Sequence, residues 1–358
     1  MKPDFKEKAI RLLCNLIATP SFSKEEDQTA QLLADFFKTE NVKTQRYQNN
    51  VWIANRDFSP GKPTVLLNSH HDTVRPNPGY TREPFRATIE EGKLYGLGSN
   101  DAGGPLVSLI AAFLHYYDRE NLPFNLILAA TAEEEISGAN GIEALLHHLP
   151  PCDFAIVGEP TQMEVAIAEK GLLVLDCKAL GKAGHAAREE GTNAIYEAID
   201  DIHWFKNHRF GKISEVLGPV KMSVTVVKAG QAHNQVPAEC DFTVDVRVTD
   251  SYTLEEILDE IRRNVKCEIK PRSLRIRPSS ISKNHLLTQA AVAAGCKPFG
   301  SPTTSDQALL PFPSVKIGPG DSARSHSANE FIYTKEIEDG IDRYVTILNN
   351  LEKLIISG

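Results

Sequence analysis

Residues 93–104 read KLYGLGSNDAGG, and the role of their one acid, Asp101, decides which fold the chain adopts. Glycine-rich loops between a strand and a helix cradle a pyrophosphate when they follow G-x-G-x-x-G. Gly96 and Gly98 satisfy the first half of that pattern, but Asp101 stands where the third glycine belongs. A carboxylate there repels phosphate. A dinucleotide site also needs an acid about 20 positions on, at the end of a second strand. Asp118 has the distance, yet it closes the helical run GPLVSLIAAFLHYY. The loop is therefore read as one that presents a carboxylate, with its glycines letting the backbone turn tightly.

Outward from this loop the chain alternates strand-like and helical runs. PTVLLNSHHD (63–72), FNLILAATAEEE (124–135), FAIVGEP (154–160) and PSVKIGPGD (313–321) read as strands, and the helical runs include 104–117, a short one at 141–148 and a last one from 334 to 356. That alternation predicts an α/β fold. Between the third and fourth of these strands the texture changes. GLLVLDCKALG, a helix near 191–208, VKMSVTVVKAG, ECDFTVDVRVT, a helix near 253–265 and CEIKPRSLRIRP follow in order β-α-β-β-α-β, a self-contained α+β unit. The expected division is a discontinuous domain of residues 1–169 and 278–358 with residues 170–277 inserted.

The start, MKPDFKEKAIRLLCNLIATPS, mixes charge and apolar residues at helical spacing, so it reads as an amphipathic helix and not as a secretory leader. A second helix is expected to begin at Ser23, where SKEE offers a capping box with Glu26. No run approaches a membrane span. A net charge of −8 argues against nucleic acid or an anionic membrane as partner. The six cysteines are scattered, without a C-x-x-C pair, which fits the reducing cytoplasm.

Each of the four strands ends in, or leads shortly into, groups that bind metals or move protons: His70, His71 and Asp72; Glu133, Glu134 and Glu135; Glu159; and His326 of SARSH. Open α/β sheets gather ligands at the carboxyl ends of their strands. Strand alternation puts His70 and Asp72 on one face and His71 on the other. This makes His70 a candidate ligand, Asp72 the carboxylate that orients its ring, and His71 a packed or solvated histidine. A solvated turn would account for the three glutamates alone; their joint occurrence with the other strand ends favours a site. Two histidines and several acids in one cleft call for a pair of divalent ions. Nitrogen and oxygen donors without cysteine suit zinc, or cobalt or manganese. Asp101 is the natural bridge between ions about 3.5–4 Å apart.

These pieces resemble a known family: the zinc-dependent amidohydrolases and peptidases that include acetylornithine deacetylase, succinyl-diaminopimelate desuccinylase, aminoacylase and carboxypeptidase G. SHHDTV, YGLGSNDAGG, TAEEEISG, VGEPT and SHSANEFI carry the resemblance in order along nearly the whole chain, with GKAGHAA and NQVPAECDFTVDVR in the insertion. His71 departs from the small or hydroxyl residue usual at its place, and Ser99 with Asn100 from an alanine-type pair; neither removes a ligand. The resemblance implies a catalytic domain with a mixed central sheet flanked by helices, and an inserted α+β domain for dimerisation. It implies His70, Asp101 and Glu159 on one zinc and Asp101, Glu135 and His326 on the other. It makes Glu134 the general base and Asp72 the support for His70. His185 would reach into the partner subunit's active site of a homodimer.

The same resemblance implies a small N-acyl amino acid as substrate, first N-acetylornithine or an N-acylcitrulline in arginine biosynthesis. Succinyl-diaminopimelate or a short peptide is the alternative. Arg247 and Asn234 resemble positions that hold the substrate α-carboxylate, and an arginine fork suits that group. Thr304, Ser305 and Asp306 are further pocket candidates, for which capping of the loop is an equally good explanation.

Overall fold

The computed structural model describes residues 4–188 and 190–357, which form two compact units. The first comprises Met1–Ile167, Ser280–Phe299 and Ser305–Gly358; the second comprises Ala168–Ser279 and Gly300–Thr304. Among the described residues no helix is long and apolar enough to cross a membrane.

In the first unit the apolar runs become the strands Thr64–His70, Asn125–Thr131 and Phe154–Val157, every residue of them buried. Unbroken apolar runs suit strands covered on both faces. Thr64–His70 pairs in parallel with both of the others, and Ser314–Lys316 adds in parallel beside Phe154–Val157. Asn50–Ala54 joins Asn125–Thr131 antiparallel, so the sheet is mixed. On one face the helix Gly104–Tyr116 packs between Asp4–Ile17 and Thr334–Ser357; its Tyr116 hydroxyl lies 3.0 Å from the Val345 carbonyl. Trp52, Leu66, Ile127 and Ala129 pack on the other face against Ile142 and Leu145 of the short helix Ile142–Leu146. The register matters most for function. His70 stands opposite Thr131, and Val157 opposite both Asn68 and Lys316, so four strand ends lie side by side.

The second unit is a four-stranded antiparallel sheet, in the order Lys221–Ala229, Glu239–Val248, Gly171–Leu180, Glu268–Pro271. Strict alternation in Glu239–Val248 sends Phe242, Val244 and Val246 to a core shared with the helices Ala194–Asn207 and Leu254–Asn264. Those helices are capped by Asn193 and by a Thr253–Glu256 capping box.

The capping box expected at Ser23 does not form. The second helix runs Asp27–Thr39 with no side-chain cap, because both halves of SKEE are engaged elsewhere. The Ser23 hydroxyl donates to Asp72 Oδ2 at 2.7 Å. The Glu26 carboxylate accepts from the backbone of Lys24 and of Glu133 and from Asn49 Nδ2.

Candidate metal centre

His70 is the last residue of its strand and is 1% exposed. Its Nδ1 lies 3.0 Å from the backbone carbonyl of Asp72 and 3.4 Å from Oδ1 of the same residue. The Asp72 carbonyl and the nearer oxygen of its carboxylate thus both face Nδ1, where the chain leaves the sheet after His70. A carbonyl only accepts, so Nδ1 carries a proton, and Nε2 is the ring nitrogen that faces the acids. The Asp72 carboxylate accepts the Glu134 N–H on Oδ1 at 3.1 Å, and the Glu135 N–H on Oδ2 at 3.2 Å. It therefore ties the strand end to the turn of acids. His71 is packed away from these groups: Nδ1 is 2.9 Å from Thr29 Oγ1 and Nε2 2.9 Å from the Asn49 carbonyl.

Asp101 comes from the glycine loop. Gly98 takes φ +73°, where an added Cβ would press on the Thr73 methyl, and the Asp101–Ala102 peptide is cis. Glu134 and Glu135 come from a one-turn helix, Glu134–Ile136, bracketed by Glu133 at φ +57° and Ser137 at φ +48°. Glu159 follows directly on the strand Phe154–Val157 and Gly158. His326 follows the turn Ser322–Arg324 at φ +56°.

Asp101 offers one oxygen to each histidine: Oδ1 lies 3.4 Å from His70 Nε2, and Oδ2 lies 3.7 Å from His326 Nε2. Glu159 Oε1 is 3.7 Å and Glu134 Oε2 3.8 Å from His70 Nε2, while Glu135 Oε2 is 2.9 Å from His326 Nε2. Two groups of donors result, His70–Asp101–Glu159 and Asp101–Glu135–His326, each able to hold a metal ion.

The donor chemistry fits a divalent cation. His70 Nε2, Glu135 Oε1 and Glu159 Oε1 are buried with no hydrogen-bond partner, and buried polar atoms are rarely left so without a function. Burial pushes the Glu134 carboxyl well above its ordinary range and the Glu159 carboxyl up to about 8. Glu135 is raised by burial too, and its hydrogen bond lifts His326 to about 9. Burial also presses on Asp101, but the His70 imidazole beside it holds its carboxyl below the usual value. Such a cluster ionises fully only against added positive charge, which a divalent ion supplies.

His185, Asn234 and Arg247 belong to the second unit. His185 is exposed, with Nδ1 accepting from the Ala187 N–H, and the Asn234 carbonyl accepts from the N–H of Ala186, the residue after His185. The Arg247 fork is engaged by Asp245 through both Nε and Nη2. Thr304 Oγ1 reaches the Lys170 carbonyl. Ser305 caps the turn Asp306–Leu309 through its hydroxyl, and buried Asp306 accepts from Thr131 Oγ1 at 2.7 Å. Reading by motif missed Glu26 and Glu330, which hold the two acid-bearing loops through backbone N–H groups.

Residues 66–350 match peptidase family M20/M25/M40. The chain belongs to that family. It is 30% identical over 368 residues to an acetylornithine deacetylase of Proteus mirabilis (strain HI4320), covering 92% of this chain and 93% of that one. Among solved structures, a tripeptidase from Staphylococcus aureus superposes with a TM-score of 0.79 at 19% identity, covering 97% and 99% of the two chains. A dinuclear metal-binding M20 peptidase from Bacillus subtilis does so with a TM-score of 0.72 at 14% identity, covering 99% of each. These structural likenesses are of fold. This M20 member is a metal-dependent amidohydrolase.

Proposed function

We propose that the protein hydrolyses the amide bond of an N-acyl amino acid, with N-acetylornithine or an N-acylcitrulline as its first substrates. The observation that carries the reading is the division of Asp101 between His70 and His326, with Glu134 beside it. The acetylornithine deacetylase likeness over nine-tenths of the chain supports the acyl amino acid as the substrate class.

In this reading His70, Asp101 and Glu159 hold one zinc and Asp101, Glu135 and His326 the other, with cobalt or manganese as substitutes. Bound there, the pair supplies Lewis acidity to the amide carbonyl and makes water acidic enough to deprotonate near neutrality. Glu134 takes the proton of the attacking water and later passes it to the departing amine. The backbone hydrogen bonds from Glu134 and Glu135 to Asp72 keep the base in place during both transfers. His185, contributed by the partner subunit, donates to the oxyanion. Asn234, Arg247, Thr304 and Ser305 are the proposed contacts for the substrate; Arg247 exchanges its Asp245 partner for the α-carboxylate.

A homodimer forms through the second unit. Its outer strand Lys221–Ala229 exposes Val226 and Val227, and its helix Ala194–Asn207 exposes Tyr196 and Ile199. The cysteines are unpaired, in keeping with a cytoplasmic enzyme.

A screen of N-acetyl, N-succinyl and N-formyl amino acids with short peptides tests the substrate. N-Acetylornithine or an N-acylcitrulline is expected to give the highest kcat/KM, and a higher value for succinyl-diaminopimelate or a peptide would replace this reading. Glu134→Gln is expected to lower kcat by about 10²–10⁴-fold with full metal content; lost metal would mean that base and ligand have been exchanged.

A further inference from the structure

We propose that Glu330 is a positioning residue that sets where the two oxygens of Asp101 point. The proposal rests on Asp101 being the bridge, as read above. Glu330 is buried. Its Oε1 accepts the N–H of Asn100 at 2.8 Å and of Asp101 at 2.9 Å, and its Oε2 accepts the N–H of Gly98 at 3.1 Å. Its own backbone carbonyl accepts the Gly96 N–H at 3.1 Å. Four amides of the segment 96–101 thus converge on one residue. Successive N–H groups turned inward around a left-handed glycine form an anion-binding concavity. The glycine loop does act as a cradle, and what it holds is the Glu330 carboxyl group of the same chain.

The geometry couples this cradle to the second donor group. His326 and Glu330 lie on one short segment, held at its ends by neighbouring loops: Asn77 Nδ2 donates to the His326 carbonyl, and Asn329 Oδ1 accepts from the backbone of Thr81 and Arg82. The same segment therefore places His326 Nε2 and, through Glu330, the Asp101 oxygen that faces it. Only a carboxylate serves all three amides of the cradle. A glutamine keeps the shape, but its NH₂ faces an N–H donor and leaves it unpaired.

Full-length Glu330→Gln, stripped with a chelator and titrated with cobalt chloride, tests the proposal alongside kcat, KM and the melting temperature of the stripped protein. The expected result is cobalt affinity weakened about 10–100-fold at both sites and kcat lowered to a similar degree, since partners behind a ligand carry effects of that size. KM stays within about twofold, because the substrate's own contacts are elsewhere. A lowered melting temperature with wild-type cobalt affinity and kcat would show a merely structural role and overturn the proposal. If Glu330→Gln does not fold, Glu330→Asp carries the test: it keeps both oxygens one methylene short, an intermediate affinity is expected, and wild-type affinity overturns the proposal. Asp101→Ala is the reference. Two tight cobalt sites in that variant would refute the bridge itself, whereas their loss beside an unaffected Glu330→Gln would refute the cradle alone.

Discussion

The two adjacent histidines show how neighbours of one type are given opposite tasks by their surroundings. His70 turns its Nε2 towards the acids, while His71 is enclosed by a hydroxyl and a carbonyl. Burial lowers the His71 pKa to about 4, so the folded ring is neutral where an unfolded chain's imidazole, titrating near 6.5, takes up a proton. The sign follows: its contribution to stability is complete above about pH 6.5 and is lost as pH falls towards 4, about 3 kcal/mol in all. Urea unfolding of the metal-free protein at about pH 7.5 and about pH 5 should show this loss. His71→Gln is expected to be less stable at the higher pH and to depend less on pH; an unchanged dependence would place its origin in another group.

At the scale of an element, the turn Glu134–Ile136 is held from outside. It is too short to be stable alone, and its flanking residues have positive φ, so Glu26 and Asp72 fix it by accepting the N–H groups of three consecutive glutamates. Glu26→Gln turns one acceptor of Glu26 into a donor, and about 1–3 kcal/mol of stability should be lost in denaturant unfolding. A falling kcat at near-constant KM is expected with it; an unaltered kcat would mean that the turn holds itself. The parts of this arrangement differ in how well they can be read. Strand ends and the polar groups gathered at them were legible because apolar runs stop at His70, Glu133 and Glu159, where polar groups have no packing reason to cluster. The partners of Glu26 and Glu330 were not, since a carboxylate bound to backbone N–H groups over 100 or 200 positions away leaves no periodicity. SKEE has the form of a helix start, and local pattern cannot tell that Ser23 finds a better acceptor in Asp72. The order β-α-β-β-α-β was legible because alternation and caps are local.

Across the whole molecule, the proposed sharing of His185 between subunits makes activity a property of pairs. His185→Ala and Glu134→Gln should each be nearly inactive, yet mixed and reassociated subunits should regain turnover, because a hybrid dimer holds one site with both groups intact. Absence of rescue in hybrids verified by mass would show that each subunit works alone. Val227→Asp on the exposed strand should shift sedimentation towards monomer; an unchanged species would place the contact elsewhere. The topology also sets an order of events during synthesis. The strand Ser314–Lys316 lies between Phe154–Val157 and Val165–Glu169 in the sheet, although the entire second unit is translated before it. A chain emerging from the ribosome thus holds a sheet with its middle missing while the second unit, nearly continuous in sequence, already has all its strands. Since His326 and Glu330 emerge later still, the centre can be completed only after the whole second unit has been made, and a nascent chain stalled before them lacks the His326 donor of the second group.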